Sequence, residues 1–259
     1  MTKYKRITST DNPRYKQLRK LAHSPRERRK SAQTLLDGAH LLHALAQTKG
    51  SPLLFILRDG SEQDDELQRG LAVFPEVEKV VLTPALFDAL SPVDTPTGIL
   101  TLYSPPSQPP VEAQCAVLLE NIQDPGNLGS ILRTAAAAGA DAVYLSRGCA
   151  EAWSPKALRA AMGAHFVMPI YEREELEEVC AHFPMVIATT LGAEHSLYDL
   201  DLSGKLAFLF GNEGAGLGAA LAAQASHRIR IPMPGKVESL NVAAAAAVCL
   251  YERVRQVGS

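Results

Sequence analysis

Three short stretches concentrate the residues of this chain that could do chemistry. They are Glu120-Asn-Ile-Gln-Asp-Pro-Gly-Asn-Leu-Gly-Ser-Ile-Leu-Arg-Thr-Ala136, Leu209-Phe-Gly-Asn-Glu-Gly214 and Ile231-Pro-Met-Pro-Gly-Lys-Val-Glu-Ser-Leu-Asn-Val242. Each sets glycines and polar side chains where an apolar run stops and a helical pattern starts, which is where α/β sheets build ligand sites. Asn127 can cap the helix that follows it or hold a ligand. Ser239 is placed as an N-cap, and Asn241 falls in a first turn whose exposed N–H groups favour anions. Arg133 is a cation among Ile131, Leu132 and a row of alanines, so it serves a site, joins a buried ion pair or snorkels to the surface. Glu213 either belongs to a site or caps the next helix. Arg133 could act as a base or could orient a reacting group and stabilise charge; a guanidinium normally stays protonated, so the second role is the more conservative one. Three such strand ends in one domain imply one composite pocket.

The elements that must position these residues are legible as alternating patterns. Apolar runs at 115–119, 142–145, 185–188, 206–210 and 227–231 read as buried strands, and 129–138, 155–162, 173–182, 218–224 and 239–254 as helices. That alternation predicts a mostly parallel sheet covered on both faces. Upstream, 12–21 suits a short helix, and 26–48 continues in helical spacing through Leu35, Leu36, Leu41, Leu42 and Leu45. Strands at 53–57 and 80–82 and a helix over 84–90 complete a small α/β domain. The proline run 104–110 can neither continue a helix nor pair in a sheet. The domains are therefore placed at 1–105 and 113–259, with 106–112 as linker.

The three stretches together resemble the SpoU/TrmH-type RNA ribose 2′-O-methyltransferases of the SPOUT superfamily. Their motifs carry an Asn and an Arg, then Gly-Asn-Glu, then Ser-Leu-Asn, in this order. Asn127, Arg133, Glu213, Ser239 and Asn241 match as the catalytic set. The resemblance implies S-adenosylmethionine as cofactor, held mainly by backbone groups at Gly211, Ile231 and Leu240 and closed over by Thr190, Leu191 and Gly192. It also implies a deep trefoil knot near the C-terminus, which no local pattern would suggest, and a homodimer. Leu36-Asp-Gly-Ala-His40 and Thr95-Pro-Thr-Gly-Ile99 look, more loosely, like the RNA-binding domain that commonly precedes the catalytic one. The expected substrate is ribosomal RNA, with transfer RNA the alternative.

Composition agrees with a soluble two-domain protein: 259 residues, 46% hydrophobic and 21% charged, net charge −2. The charge is unevenly placed. Residues 1–30 hold eleven Lys and Arg against Asp11 and Glu27, a surplus of nine, which leaves −11 for the rest. A basic arm fits a polyanion or a solvated face, and Arg14, Lys16, Arg19, Arg28 and Arg29 are its candidate RNA contacts. No apolar run is long enough to span a membrane, and the basic N-terminus has no apolar core behind it, so a cytoplasmic protein is expected. The cysteines and histidines lack metal-ligand spacing, and no metal is expected. Gly214-Ala-Gly-Leu-Gly-Ala219 satisfies a dinucleotide fingerprint, but it lies about 40 residues from the end, too late for the rest of that fold. A nicotinamide-dependent enzyme and a catalytically silent RNA-binding protein are the competing readings.

Overall fold

The computed structural model describes residues 4–91, 96–190 and 192–258. They form two compact units. The first runs to Ser107 and also takes in Trp153–Phe166; the second comprises Gln108–Ala152 and the residues from Val167 onward.

The first unit contains β1 (Lys5–Ile7), α1 (Pro13–His23), α2 (Pro25–Ser31), β2 (Thr34–Asp37), α3 (Ala39–Ala46), β3 (Leu54–Arg58), α4 (Asp65–Ala72), β4 (Lys79–Leu82), α5 (Pro84–Asp88) and β5 (Ile99–Tyr103). The sheet order is β1-β4-β3-β5-β2, with β5 antiparallel to both neighbours. Asn12 caps α1 by accepting from the Arg14 and Tyr15 amides, and Pro13 supplies its fixed φ at the first position. Tyr15, Leu18 and Leu21 then recur at helical spacing and are buried, while Lys16, Arg19 and Lys20 face solvent. Strand β3 sends Leu54 and Ile56 into one core and Phe55 and Leu57 into the other.

Leu35 and Leu36 belong to strand β2, not to a helix. All four β2 residues are buried, and a strand covered on both faces lacks the alternation that separates it from a buried helix. Strands β1 and β5 were not anticipated either.

The second unit contains β6 (Cys115–Leu119), α6 (Pro125–Ala137), β7 (Ala142–Leu145), β8 (Ile170–Glu172), α8 (Leu176–Cys180), β9 (Met185–Thr189), β10 (His195–Ser196), β11 (Leu206–Phe210), α9 (Ala219–Ala222), β12 (His227–Arg230) and α10 (Val242–Val257). Helix α7 (Pro155–Ala161) lies in the segment that packs with the first unit. The sequence reading gave that segment to the second domain. Leu158 instead buries beside Leu36, Leu41, Leu45 and Tyr103, and the rings of Trp153 and Phe166 sit 6.1 and 5.8 Å from that of Tyr103.

The seven strands are all parallel, in the order β10-β12-β9-β11-β6-β7-β8. Central β6 and β11 are buried along their whole length. Parallel strands release their chains at one edge, so the segments after β6, β9, β11 and β12 emerge together. Helix α10 packs back against α6 and β11. All four cysteines are free thiols, and burial pushes Cys115 and Cys180 up to about 11. Among the described residues no helix is long and apolar enough to cross a membrane, and no cluster of metal-ligating side chains occurs.

Candidate active site

Helix α6 begins at Pro125, four residues earlier than its apolar periodicity suggests. Asp124 is its cap and accepts the Asn127 amide at 2.8 Å. Asn127 therefore sits inside the first turn with its side chain free for other partners. Its Nδ2 donates to Glu213 Oε1 at 3.1 Å, and its Oδ1 accepts from Asn241 Nδ2 at 2.9 Å. Asn241, not Ser239, caps α10, its Oδ1 accepting the Ala243 and Ala244 amides at 2.9 and 3.4 Å. Ser239 lies exposed in the preceding loop. One hydrogen-bonded chain, Asn241 to Asn127 to Glu213, thus ties the three motifs together.

Glu213 also accepts the Gln123 and Asp124 amides, both at 3.3 Å. Partial burial raises its pKa. Hydrogen bonds from Asn127 and from the backbone of residues 213, 124 and 123 outweigh that and hold the carboxyl below its usual value. A depressed pKa means these bonds persist at neutral pH and are lost only as pH falls through the lowered value.

Residues outside the expected set fasten the same loops. Asn212 accepts the Gly214 and Ala215 amides at 2.9 Å, donates from Nδ2 to Asn121 O at 2.8 Å, and exchanges two backbone bonds with Gly216. Gly216 takes a φ of 69°, a left-handed conformation that glycine adopts without strain. Glu120 Oε2 accepts the Gly218 amide at 2.7 Å. The presence of Glu120, Asn121 and Asn212 within the first two motif stretches was the one available signal.

These loops enclose a cavity of about 520 Å³. Of the expected residues, Asn127, Glu213, Ser239, Asn241, Thr190, Gly211, Ile231 and Leu240 line it, together with Thr189, Arg230, Met233 and Val242. Gly192 is exposed and not among the lining residues, and Leu191 lies outside the described residues. Arg133 is not in the cavity. It stands six residues beyond Asn127, about 9 Å further along the helix axis, on an exposed stripe with Ser130 and Ala137. An exposed arginine needs no buried counter-ion, so the ion pair considered from sequence does not form.

Asn241→Ala removes a cap and the tie to Asn127. A cap is worth about 1 kcal/mol. Thermal denaturation should show a lowered Tm, and titration of S-adenosylmethionine a weakened affinity; an unchanged Tm would mean another group caps α10.

The candidate nucleic-acid side chains separate on inspection. Arg19 and Arg29 are exposed, Lys16 is exposed but paired with Asp11 at 2.9 Å, and Arg14 pairs with Glu78 at 2.6 Å. Arg28 is buried and donates from Nη1 to Leu21 O at 2.7 Å and Ala22 O at 3.2 Å, closing the end of α1. It is a structural residue, not an RNA contact.

Residues 114–251 match the model of the SpoU rRNA methylase family. An uncharacterised tRNA/rRNA methyltransferase of Synechocystis is 37% identical, covering 96% of this chain and 93% of its own. The 23S rRNA (guanosine(2553)-2′-O)-methyltransferase RlmP of Bacillus subtilis is 34% identical, covering 95% and 98%. The SpoU methyltransferase AviRb from Streptomyces viridochromogenes, solved in complex with AdoMet, superimposes with a TM-score of 0.86 at 26% identity over 95% of this chain and 98% of that one. With Asn127, Glu213, Ser239 and Asn241 lining one cavity and these likenesses spanning nearly its whole length, the chain belongs to the SpoU rRNA methylase family.

Proposed function

We propose that this protein transfers a methyl group from S-adenosylmethionine to a ribose 2′-hydroxyl of RNA, ribosomal RNA being the favoured substrate and transfer RNA the alternative. The observation that carries this is the hydrogen-bonded chain Asn241–Asn127–Glu213 lining a single cavity. Its size suits a nucleoside-sized ligand. Ile231, Met233, Leu240 and Val242 offer apolar surface to an adenine, and Gly211, Gly214 and Gly216 leave the main chain open to close approach. Glu213, held ionised, is the carboxylate among the described lining residues and complements a sulfonium. Thr190, Gly211, Ile231 and Leu240 would hold the cofactor, with Leu191 and Gly192 assigned to its closing side.

Bound S-adenosylmethionine supplies an electrophilic methyl on a positively charged sulfur. With the cofactor bound, the 2′-oxygen would form the new bond to carbon as the carbon–sulfur bond breaks, the sulfur would leave as neutral S-adenosylhomocysteine, and the hydroxyl proton would pass to solvent water. Arg133, at the open face of α6, orients the hydroxyl through a neighbouring RNA phosphate and stabilises the charge that grows on the oxygen. Asn127, Glu213, Ser239 and Asn241 hold the loops between which the two substrates meet. A 2′-hydroxyl acceptor selects RNA over DNA.

The first unit is assigned to RNA binding through the exposed basic side chains of α1 and α2. Deleting residues 1–30 would strip Tyr15, Leu18 and Leu21 from its core, so substitution is the cleaner probe. Replacing Arg19, Arg29 and Lys30 with alanine should weaken RNA binding and reduce the slope of log affinity against log salt by about 2 to 3, leaving cofactor affinity unchanged.

A homodimer, the C-terminal knot and a cytoplasmic location belong to the same reading. Supporting the first, Tyr251 and Val257 expose apolar surface on an alanine-rich α10. Supporting the second, β12 inserts between β10 and β9 and α10 returns to α6. The deciding experiment is transfer of labelled methyl from S-adenosylmethionine to RNA, followed by digestion to nucleosides. Label in a 2′-O-methylnucleoside is expected; label on a base, or none, would overturn the assignment.

A further inference from the structure

The first unit holds a second cavity, of about 320 Å³, at the carboxyl end of β2. The two stretches that matched an RNA-binding domain only loosely meet there. Gly38 N donates to Ile99 O at 3.1 Å, and the Thr97 hydroxyl donates to Asp37 Oδ1 at 2.7 Å. Gly38 turns the chain with a φ of 98°. A Cβ at that position would come within 3.3 Å of the Thr97 side chain, so the approach of the two stretches requires glycine.

Asp37 lines this cavity although only 9% exposed. Burial pushes its carboxyl up, against the hydrogen bonds of Thr97 and Ser91 and the charge of Arg159. Thr97 and Ser91 engage one lone pair on each oxygen, at 2.7 and 3.4 Å, leaving a second on each. Leu41, Leu67 and Met162 supply apolar surface, and Met162 is 40% exposed. Asp64 and Glu66 add acid; Asp64 is already spent capping α4. Arg159 is an exposed cation at the same cavity.

A lining this acidic disfavours phosphate inside and calls for hydrogen-bond donors on a ligand with apolar faces. Among the four RNA bases only guanine presents two adjacent donors, N1–H and the 2-amino group, matched to the two oxygens of one carboxylate. Adenine and cytosine set a donor beside an acceptor, and uracil sets one donor between two acceptors. We propose that this cavity binds an unpaired guanine of the substrate RNA, with Asp37 reading its N1–H and 2-amino group and Arg159 meeting a flanking phosphate. Unstacked bases of single-stranded RNA are available to such a pocket. The inference rests on the RNA-modifying reading above.

The test uses the full chain and labelled single-stranded RNAs of one sequence in which a single guanosine is kept or replaced by inosine, which lacks the 2-amino group, or by adenosine. Wild type should bind the guanosine RNA about tenfold more tightly than either. Asp37→Asn keeps an acceptor for Thr97 but offers an amide donor to the base, and should bring the three affinities together. S-adenosylmethionine titration and a melting curve verify that the variant is folded. Equal affinities in the wild type would overturn the proposal without reference to any variant, and so would a guanosine preference that survives Asp37→Asn. Free GMP binding lost in Asp37→Asn, with no preference among the RNAs, would assign the cavity to a free nucleotide and overturn the RNA version. Absence of methyl transfer by wild type bears on the enzymatic reading instead, since the base preference is measured by binding alone.

Discussion

Arg133→Ala is expected to lower the rate of methyl transfer by about 10²- to 10³-fold, the loss seen when one preorganised charge-stabilising donor is removed. Cofactor affinity should stay as in the wild type. The separation follows from where the residue sits: Arg133 is exposed, does not line the cavity proposed for the cofactor, and lies about two turns beyond Asn127 on α6. Its removal leaves Leu128, Ile131, Leu132 and Ala135 buried as before. Arg133→Lys keeps the charge and gives up the planar fork that can engage phosphate and hydroxyl together. It should recover little of the rate, and a near-normal lysine variant would leave only a role for positive charge. Single-turnover transfer of labelled methyl gives the rate, and equilibrium titration of S-adenosylmethionine gives the affinity. A parallel loss of both would place Arg133 in cofactor binding.

Gly211→Ala should do the opposite and cut cofactor affinity by tenfold or more. A Cβ at 211 would overlap the Gly216 carbonyl and the Leu217 nitrogen, which are main-chain atoms with no rotamer to change. Relief requires opening the paired bonds between Asn212 and Gly216, and the side chain of Glu213 moves with that turn. Overpacking of this kind typically costs about 1–3 kcal/mol, so a lower Tm should accompany the lost affinity. An unchanged affinity would show that the 211–216 turn does not form the cofactor's seat.

The sequence exposed the core strands of the second unit because they are continuous apolar runs in a sheet buried on both faces. It did not expose β8 and β10, of three and two residues, because segments so short carry no periodicity. Helix starts slipped where two capping residues lie close together: Asp124 before Asn127, Ser239 before Asn241. The Asp-Pro step at 124–125 was a signal for the earlier start of α6, whereas nothing local chooses between Ser239 and Asn241. The motifs marked Asn127, Glu213 and Asn241, but not that they bond to one another across 86 and 114 residues. Charge counting likewise could not tell Arg28, folded back on α1, from Arg29, which faces water. Both sit in one basic run, and only the packing of α2 against α1 distinguishes them.

The return of Trp153–Phe166 to the first unit sets a schedule for synthesis. The sheet of that unit is complete at Tyr103, yet the apolar face made by Leu36, Leu41, Leu45 and Tyr103 waits for Leu158 and its neighbours. At ordinary elongation rates the ribosome needs roughly 3 to 12 s to pass from residue 107 to residue 166. During that interval β6, α6 and β7 are also emerging, before the first unit can close. A fragment cut at the proline-rich junction would therefore leave one half with an open face and the other with a stranded aromatic segment.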